Sequence, residues 1–243
     1  MNRRHFEVGE TAVTIVAEDE FFGTAQESIF RSREVLQRFI RRDPLFQMTL
    51  EPYPCPEEAP PLIARMCASA VKAGVGPMAA VAGAVAERAV LDMQAAGATQ
   101  AIVDNGGDIA LLLDRETSIG LYAGDLVKGI GFLCPPRAGV FGICTSSATI
   151  GPSLSFGISD AATVISADVT LADACATRLG NLLTSGEDGA MCTALDDVCS
   201  IPGIEGAVAV VGEKVAMKGR LPHLTRVTVP PGKVAKIEFS SLS

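Results

Sequence analysis

The feature that most constrains this chain is a change of hydrophobic period at Gly97. Before it, apolar residues recur at helical spacing. Phe22, Ala25, Ile29, Leu36, Phe39 and Ile40 mark a helix over 21–42 with Arg and Glu on its other face, and helices are expected at 60–73 and 77–96. After Gly97 the pattern breaks into short strands, at 100–104, 108–113, 117–123, about 129–134 and 139–145, then 162–167. Helices return at 170–183 and 187–197, followed by strands at 206–211, 214–218 and 224–239, the last interrupted by Pro230-Pro231-Gly232. Helices and strands come in blocks. That predicts an α+β architecture of largely antiparallel sheets packed with long helices, not a regular βαβ alternation.

The start of the chain reads as a hairpin over 5–17, with Gly9-Glu10 at its turn. Phe46, Met48 and Leu50 alternate, which predicts a strand over 45–51. The segment 52–61, "PYPCPEEAPP", carries five prolines in ten residues and reads as a rigid, extended connector. The pieces on either side are too small to fold alone, so the expectation is a single domain over 1–243.

Bulk composition excludes some functions. The net charge of −8 argues against sequence-independent nucleic-acid binding, which needs a basic surface to release counterions. No stretch reaches the roughly 20 charge-free apolar residues of a spanning helix, and the basic start MNRRHFEVGE is not followed by the apolar core of a secretory signal. The seven cysteines are odd in number, contain no C-x-x-C pair and sit mostly in apolar runs. They read as packed thiols in a reducing compartment rather than a disulfide or zinc framework. A soluble, cytoplasmic protein without a membrane or nucleic-acid partner is expected.

Three segments could carry chemistry. In "AIVDNGGDIALLL" an apolar run stops at Asp104, Asn105, Gly106, Gly107 and Asp108 and then resumes. The residues are those of a tight hairpin turn, and equally those that let a main chain and a carboxylate meet a phosphate or a metal. A strand follows rather than a helix, so the motif is neither a dinucleotide fingerprint nor a P-loop. In "DVTLADACATRLGNLL", Leu171, Cys175, Leu179 and Leu182 form an apolar stripe, while Asp173, Thr177 and Asn181 share another face. That face carries small oxygen-bearing groups, hard ligands suited to Mg²⁺. The competing reading is a capping box with Thr170 as N-cap and Asp173 at its third position. The third segment, "CTSSATIGPSLSFG", offers Thr145, Ser146, Ser147, Thr149, Ser153 and Ser155 as hydroxyls among glycines. Only two histidines exist, His5 and His223, and neither lies in a motif. Chemistry by a metal and positioned carboxylates suits this chain better than a histidine mechanism.

Taken in order, "VDNGGDIAL", "CTSS" and "TVISADVTLADACAT" resemble the Gly-Gly-Asp, Thr-Ser-Gly and Ala-Asp-Ala-x-Ala-Thr segments of the ApbE family, FAD:protein FMN transferases that use Mg²⁺. The match spans roughly residues 70 to 184. It is closer still to an uncharacterised ApbE-like family carrying "GPMAAVAGA", "NGGDIA", "SLSFG" and "ADACAT" segments. The resemblance implies an ApbE-like, T-fold-related architecture, with a nucleotide or flavin as small-molecule partner and a homodimer as an open assembly. It makes Asp173 and Thr177 metal ligands, joined by a main-chain carbonyl near Val81. It lines a flavin-nucleotide pocket with Asn105, Gly106, Gly107, Asp108, Thr145, Ser146 and Ser147. Asp173 would hold the metal, and Asp108 or Asp104 would position the ligand or an acceptor hydroxyl. The chain departs from the transferases in three places. Ala82 stands where they carry a lysine, "GPSLSFG" replaces their histidine-containing segment, and no lipoprotein signal precedes them.

Overall fold

The computed structural model describes residues 1–9, 11–123, 126–147, 157–227 and 237–238. The N-terminal hairpin pairs β1 (Asn2–Val8) with β2 (Thr11–Ala17) in antiparallel register. After a 3-10 turn comes α1 (Phe22–Arg42), a short α2 (Leu45–Met48), α3 (Pro61–Ala73), and α4 (Val81–Ala95), entered through a 3-10 turn at Pro77–Ala80. Five strands follow: β3 (Ala101–Asn105), β4 (Asp108–Leu113), β5 (Thr117–Ala123), β6 (Val127–Cys134) and β7 (Arg137–Ser146). Then come β8 (Ala161–Ser166), α5 (Val169–Leu182), α6 (Asp188–Cys199), β9 (Ile204–Val211), β10 (Lys214–Gly219), β11 (His223–Arg226) and β12 (Ile237–Glu238).

The strands form two antiparallel sheets. The larger runs β1-β2-β3-β4-β7-β8-β9-β10 and the smaller β11-β6-β5-β12. Alternation along each strand sends side chains to opposite faces of the large sheet. One face, with Val103, Ala110, Leu112, Cys144, Ala162 and Val164, joins the helices in one core. The other, with Ile102, Ile109, Leu111, Ile143 and Ile165, joins Ile119 and Phe132 of the small sheet in a second core. Phe22, Ile63, Met66 and Ile109 are among the side chains fully removed from water. Each such burial contributes about 1.5–3 kcal/mol. The α+β class and antiparallel sheets expected from the sequence are the observed ones.

Two expectations fail. Residues 45–51 are not a strand. The Asp43 side chain accepts the Leu45 N–H at 3.1 Å and the turn closes as α2. Phe46 turns inward against Phe39 (centroids 4.9 Å apart) and Tyr53 (5.3 Å), leaving Leu45, Met48 and Leu50 exposed. Tertiary aromatic packing thus overrides the alternating pattern. Nor is 224–239 one strand. β11 pairs with β6 and β12 with β5, and the Pro230-Pro231-Gly232 break lies outside the described residues. Among the described residues no single helix is long and apolar enough to cross a membrane.

Candidate functional site

The site is built where the β3–β4 turn, the start of α4 and the middle of α5 meet. Asn105-Gly106-Gly107-Asp108 is a two-residue hairpin, with Asn105 and Asp108 paired across it. Gly106 has φ +72° and Gly107 φ +105°, so both central positions need the left-handed region that glycine alone enters without strain. A Cβ on Gly106 would meet nothing within 4 Å, so its glycine answers to backbone conformation and not to crowding.

Register then sorts the expected residues onto two faces. Asn105 follows Ala101 and Val103, Asp108 precedes Ala110 and Leu112, and Ser146 follows Cys144. All three therefore face the helices. Asp104 and Thr145 alternate with them and face the other core. Asp104 accepts the Gly107 N–H at 3.0 Å and Thr145 exchanges a hydrogen bond with Thr163 at 2.9 Å, so both brace the turn from behind. Thr145, expected to line the pocket, and Asp104, expected as the alternative to Asp108 in positioning the ligand, thus face away from the helices. Ser147 lies one residue past the end of β7, half-buried, while Thr149, Ser153 and Ser155 lie outside the described residues.

Asp173 is 7% exposed and sits on α5 against the first turn of α4. Its Oδ2 accepts the Gly83 N–H at 2.7 Å. This is the partially positive end of a helix meeting a carboxylate. A Cβ on Gly83 would lie 2.7 Å from the Asp173 Cβ and 2.8 Å from the Val169 carbonyl oxygen, so only glycine permits the approach. Val81 is the first residue of α4, two before that donor. From the other side, Asn105 Nδ2 donates to the Ala82 carbonyl at 3.1 Å, tying the hairpin to the same helix end. Thr177 lies one turn beyond Asp173 on α5 and is half-buried.

The capping-box reading of Asp173 does not hold. The N-cap of α5 is Asp168, whose side chain accepts the Leu171 N–H at 2.9 Å. Thr170 instead donates its hydroxyl to Glu87 at 2.6 Å. Ser166 braces the entry through the Asp168 N–H at 3.0 Å, which moves the helix start two residues upstream.

Asp108 and Asp173 are both buried and near enough for the charge of one to act on the other, which disfavours ionising both at once. Burial pushes Asp173 up to about 7, against the backbone N–H groups that favour its charge. Burial, then the Asp173 and Asp104 charges, push Asp108 well above the usual carboxylate range. The same two causes, burial and the Asp108 and Asp173 charges, keep the Cys144 thiol protonated. Its Sγ–H reaches the Val169 carbonyl at 3.6 Å. The Ser146 hydroxyl is buried and has no hydrogen-bond partner among the described residues.

Sequence reasoning missed a second buried carboxylate between the same two helices. Glu87 of α4, 4% exposed, receives both guanidinium arms of Arg65 from α3 (2.7 and 2.6 Å), the Thr170 hydroxyl and the Val169 N–H (3.3 Å). Arg65 reaches Asp168 as well, at 3.1 Å. One signal for Gly83 was available: a glycine inside an alanine-rich helix costs about 1 kcal/mol relative to alanine, so it marks a close approach.

Comparison with known proteins gives the chain's relatives and its fold. UPF0280 proteins of Methanocella arvoryzae and Methanococcoides burtonii are 51% and 50% identical to the chain, over 95% and 92% of its length and 94% and 95% of theirs. The fold is shared with two solved structures. One is the ApbE protein of Thermotoga maritima (TM-score 0.56, 13% identity, 90% of this chain and 97% of that one). The other is the apo flavinyl transferase ApbE of Pseudomonas stutzeri (TM-score 0.54, 12% identity, 90% and 94%). A family model described as "AbpE bacteria" matches residues 1–197, and the chain belongs to that ApbE-like family.

Proposed function

We propose that this protein binds a flavin nucleotide, FAD in the first instance, through Mg²⁺ at the Asp108–Asp173 pair, and transfers its FMN portion to an acceptor hydroxyl. The observation that carries the reading is the pair itself: two buried carboxyl groups whose charges act on each other beside the start of α4, with no side-chain cation bonded to either among the described residues. The donor set suits a small hard cation, since every candidate ligand is an oxygen. Asp173 and Thr177 would hold it, with Asp108 opposite and the start of α4 at Val81 alongside. When bound, the cation would neutralise charge developing on the phosphates as the pyrophosphate bond breaks.

The chain's own residues supply the rest. The Gly83 N–H fixes Asp173, and Asn105 fixes the hairpin against α4, so the Gly106-Gly107 turn and Asp108 are held in place before a ligand arrives. The Ser146 hydroxyl, buried without a partner among the described residues, would be available to a ligand oxygen. Asp108, ionised once a cation at the pair offsets its charge, would take the acceptor's proton as the acceptor oxygen attacks the FMN phosphorus. AMP is then the leaving group, and one phosphoester replaces one phosphoanhydride.

A second reading is favoured by Ala82, which stands where the resemblance expects a lysine and whose carbonyl is tied to Asn105: a flavin-nucleotide-binding protein without transfer chemistry. Calorimetry with FAD in Mg²⁺ and again in EDTA tests the shared part. Binding should occur in Mg²⁺ and weaken in EDTA. No heat with FAD, ADP or Mg²⁺ would sink both readings. AMP release with a hydroxyl-bearing acceptor separates them.

A further inference from the structure

The observation lies at the corner where α1 gives way to the proline-rich connector. Leu45, Met48 and Leu50 are 55, 68 and 57% exposed, three large apolar side chains within one short segment. A single exposed leucine is ordinary, but a cluster held on a rigid base marks a surface that another molecule covers. The base here is rigid. Asp43 accepts the Leu45 N–H at 3.1 Å and the Tyr53 hydroxyl, and Phe46 stands edge-on to both Phe39 and Tyr53. A Cβ on Gly76 would lie 2.0 Å from the Thr49 carbonyl oxygen, so the segment also rests on the chain that enters α4. Little conformational freedom is left to lose when a partner docks.

The charges around the cluster identify that partner. Arg41 and Arg42 precede it and Glu51, Glu57 and Glu58 follow it, all exposed. Arg38, one turn earlier, is held by Glu34 at 2.5 Å, whereas these five side chains have no ion pair among the described residues. Along the chain the order is basic, apolar, acidic. That order is self-complementary. Turned about a two-fold axis near Met48, a second copy lays its acidic side on the basic side of the first, and the apolar centres meet. A bilayer suits the surface less well, since a net charge of −8 repels the molecule from anionic lipid.

We propose that this surface is a homodimer interface. Leu45, Met48 and Leu50 of two copies pack about the two-fold axis, and Arg41 and Arg42 of each face the acidic residues of the other. The apolar contact supplies affinity, while the charges fix orientation and discriminate against other partners. The proposal stands independently of the flavin reading.

Sedimentation velocity over a concentration series, with light scattering after gel filtration, tests it. Wild type should reach twice the mass of the chain as concentration rises. Met48→Glu, at a side chain mostly in water, should keep the far-UV spectrum and remain monomeric. Arg41→Glu/Arg42→Glu and Glu51→Lys/Glu57→Lys/Glu58→Lys should each be monomeric alone, and an equimolar mixture of the two should recover the doubled mass. That recovery separates a lost interface from a damaged fold. Three results would each overturn the proposal: a wild type that stays monomeric, including one that sediments with phosphatidylglycerol vesicles instead; a dimer that Met48→Glu leaves intact; or charge-reversed variants whose mixture stays monomeric.

Discussion

Two buried carboxylates sit between α4 and α5, and they are solved in opposite ways. Glu87 has a cation supplied by the chain: Arg65 meets it with two arms at 2.7 and 2.6 Å, and Thr170 and the Val169 N–H fill the remaining valences. Asp173, one helical turn further along α5 than Val169, has a helix N-terminus and a second carboxyl group, Asp108, instead. Burying a charge is costly unless it is paired, and a group without a partner keeps its proton. Glu87 thus reads as structure, a clamp on three helices. Asp173 and Asp108 have no such cation among the described residues, and the proposed Mg²⁺ would fill that place. The difference separates what holds the helices together from what they are held together to do.

The largest expected effect is on the clamp. Arg65→Ala strands Glu87 without its cation and should cost about 3–5 kcal/mol of stability, read by urea unfolding, by equal amounts with and without Mg²⁺. A Mg²⁺-dependent cost would mean the two sites are not separate. Asp173→Asn should do the reverse. It keeps the fold, yet should weaken Mg²⁺-dependent FAD binding by more than ~100-fold, since losing even an outer-shell partner costs 10–100-fold. Unchanged affinity would remove Asp173 from the site. Gly83→Ala brings a methyl against Asp173 and the Val169 carbonyl and should cost about 1–3 kcal/mol, with the Mg²⁺ response lowered as well. A loss of stability alone would make the close approach a packing feature only.

The smallest effect is on pH dependence. A carboxyl whose pKa is raised on folding contributes stability at low pH that is lost as pH rises from the unfolded value near 4 toward the folded one, about 7 for Asp173. Asp108→Asn removes that penalty. In EDTA its stability should equal wild type near pH 4 and exceed it by about 1 kcal/mol or more at pH 8. An Asp108→Asn variant less stable than wild type at pH 8 would show that the pair is already balanced within the protein.

Much of this was legible in the sequence because it is local. The Asn-Gly-Gly-Asp turn has the residues its positive φ values require, and the helix carrying Asp173 and Thr177 announces itself by period. What was misread turned on side-chain contacts that a residue pattern does not show. Asp173 looked like the third residue of a capping box, and only Ser166 and Asp168 show that α5 starts earlier. Leu45 to Leu50 alternate as a strand would, and only the Phe39–Phe46–Tyr53 cluster explains the helical turn. Arg65 and Glu87 carry no motif at all, and their 22-residue separation hides the contact.

By itself the sequence determined the α+β class, the hairpin and which helix bears the face of small oxygen-bearing groups, because hydrophobic period and turn chemistry are set by neighbouring residues. Tertiary structure alone decided that Asp108 and Asn105 turn toward Asp173 while Asp104 and Thr145 turn away. A strand alternates its faces with every residue, and only packing fixes which face meets the helices.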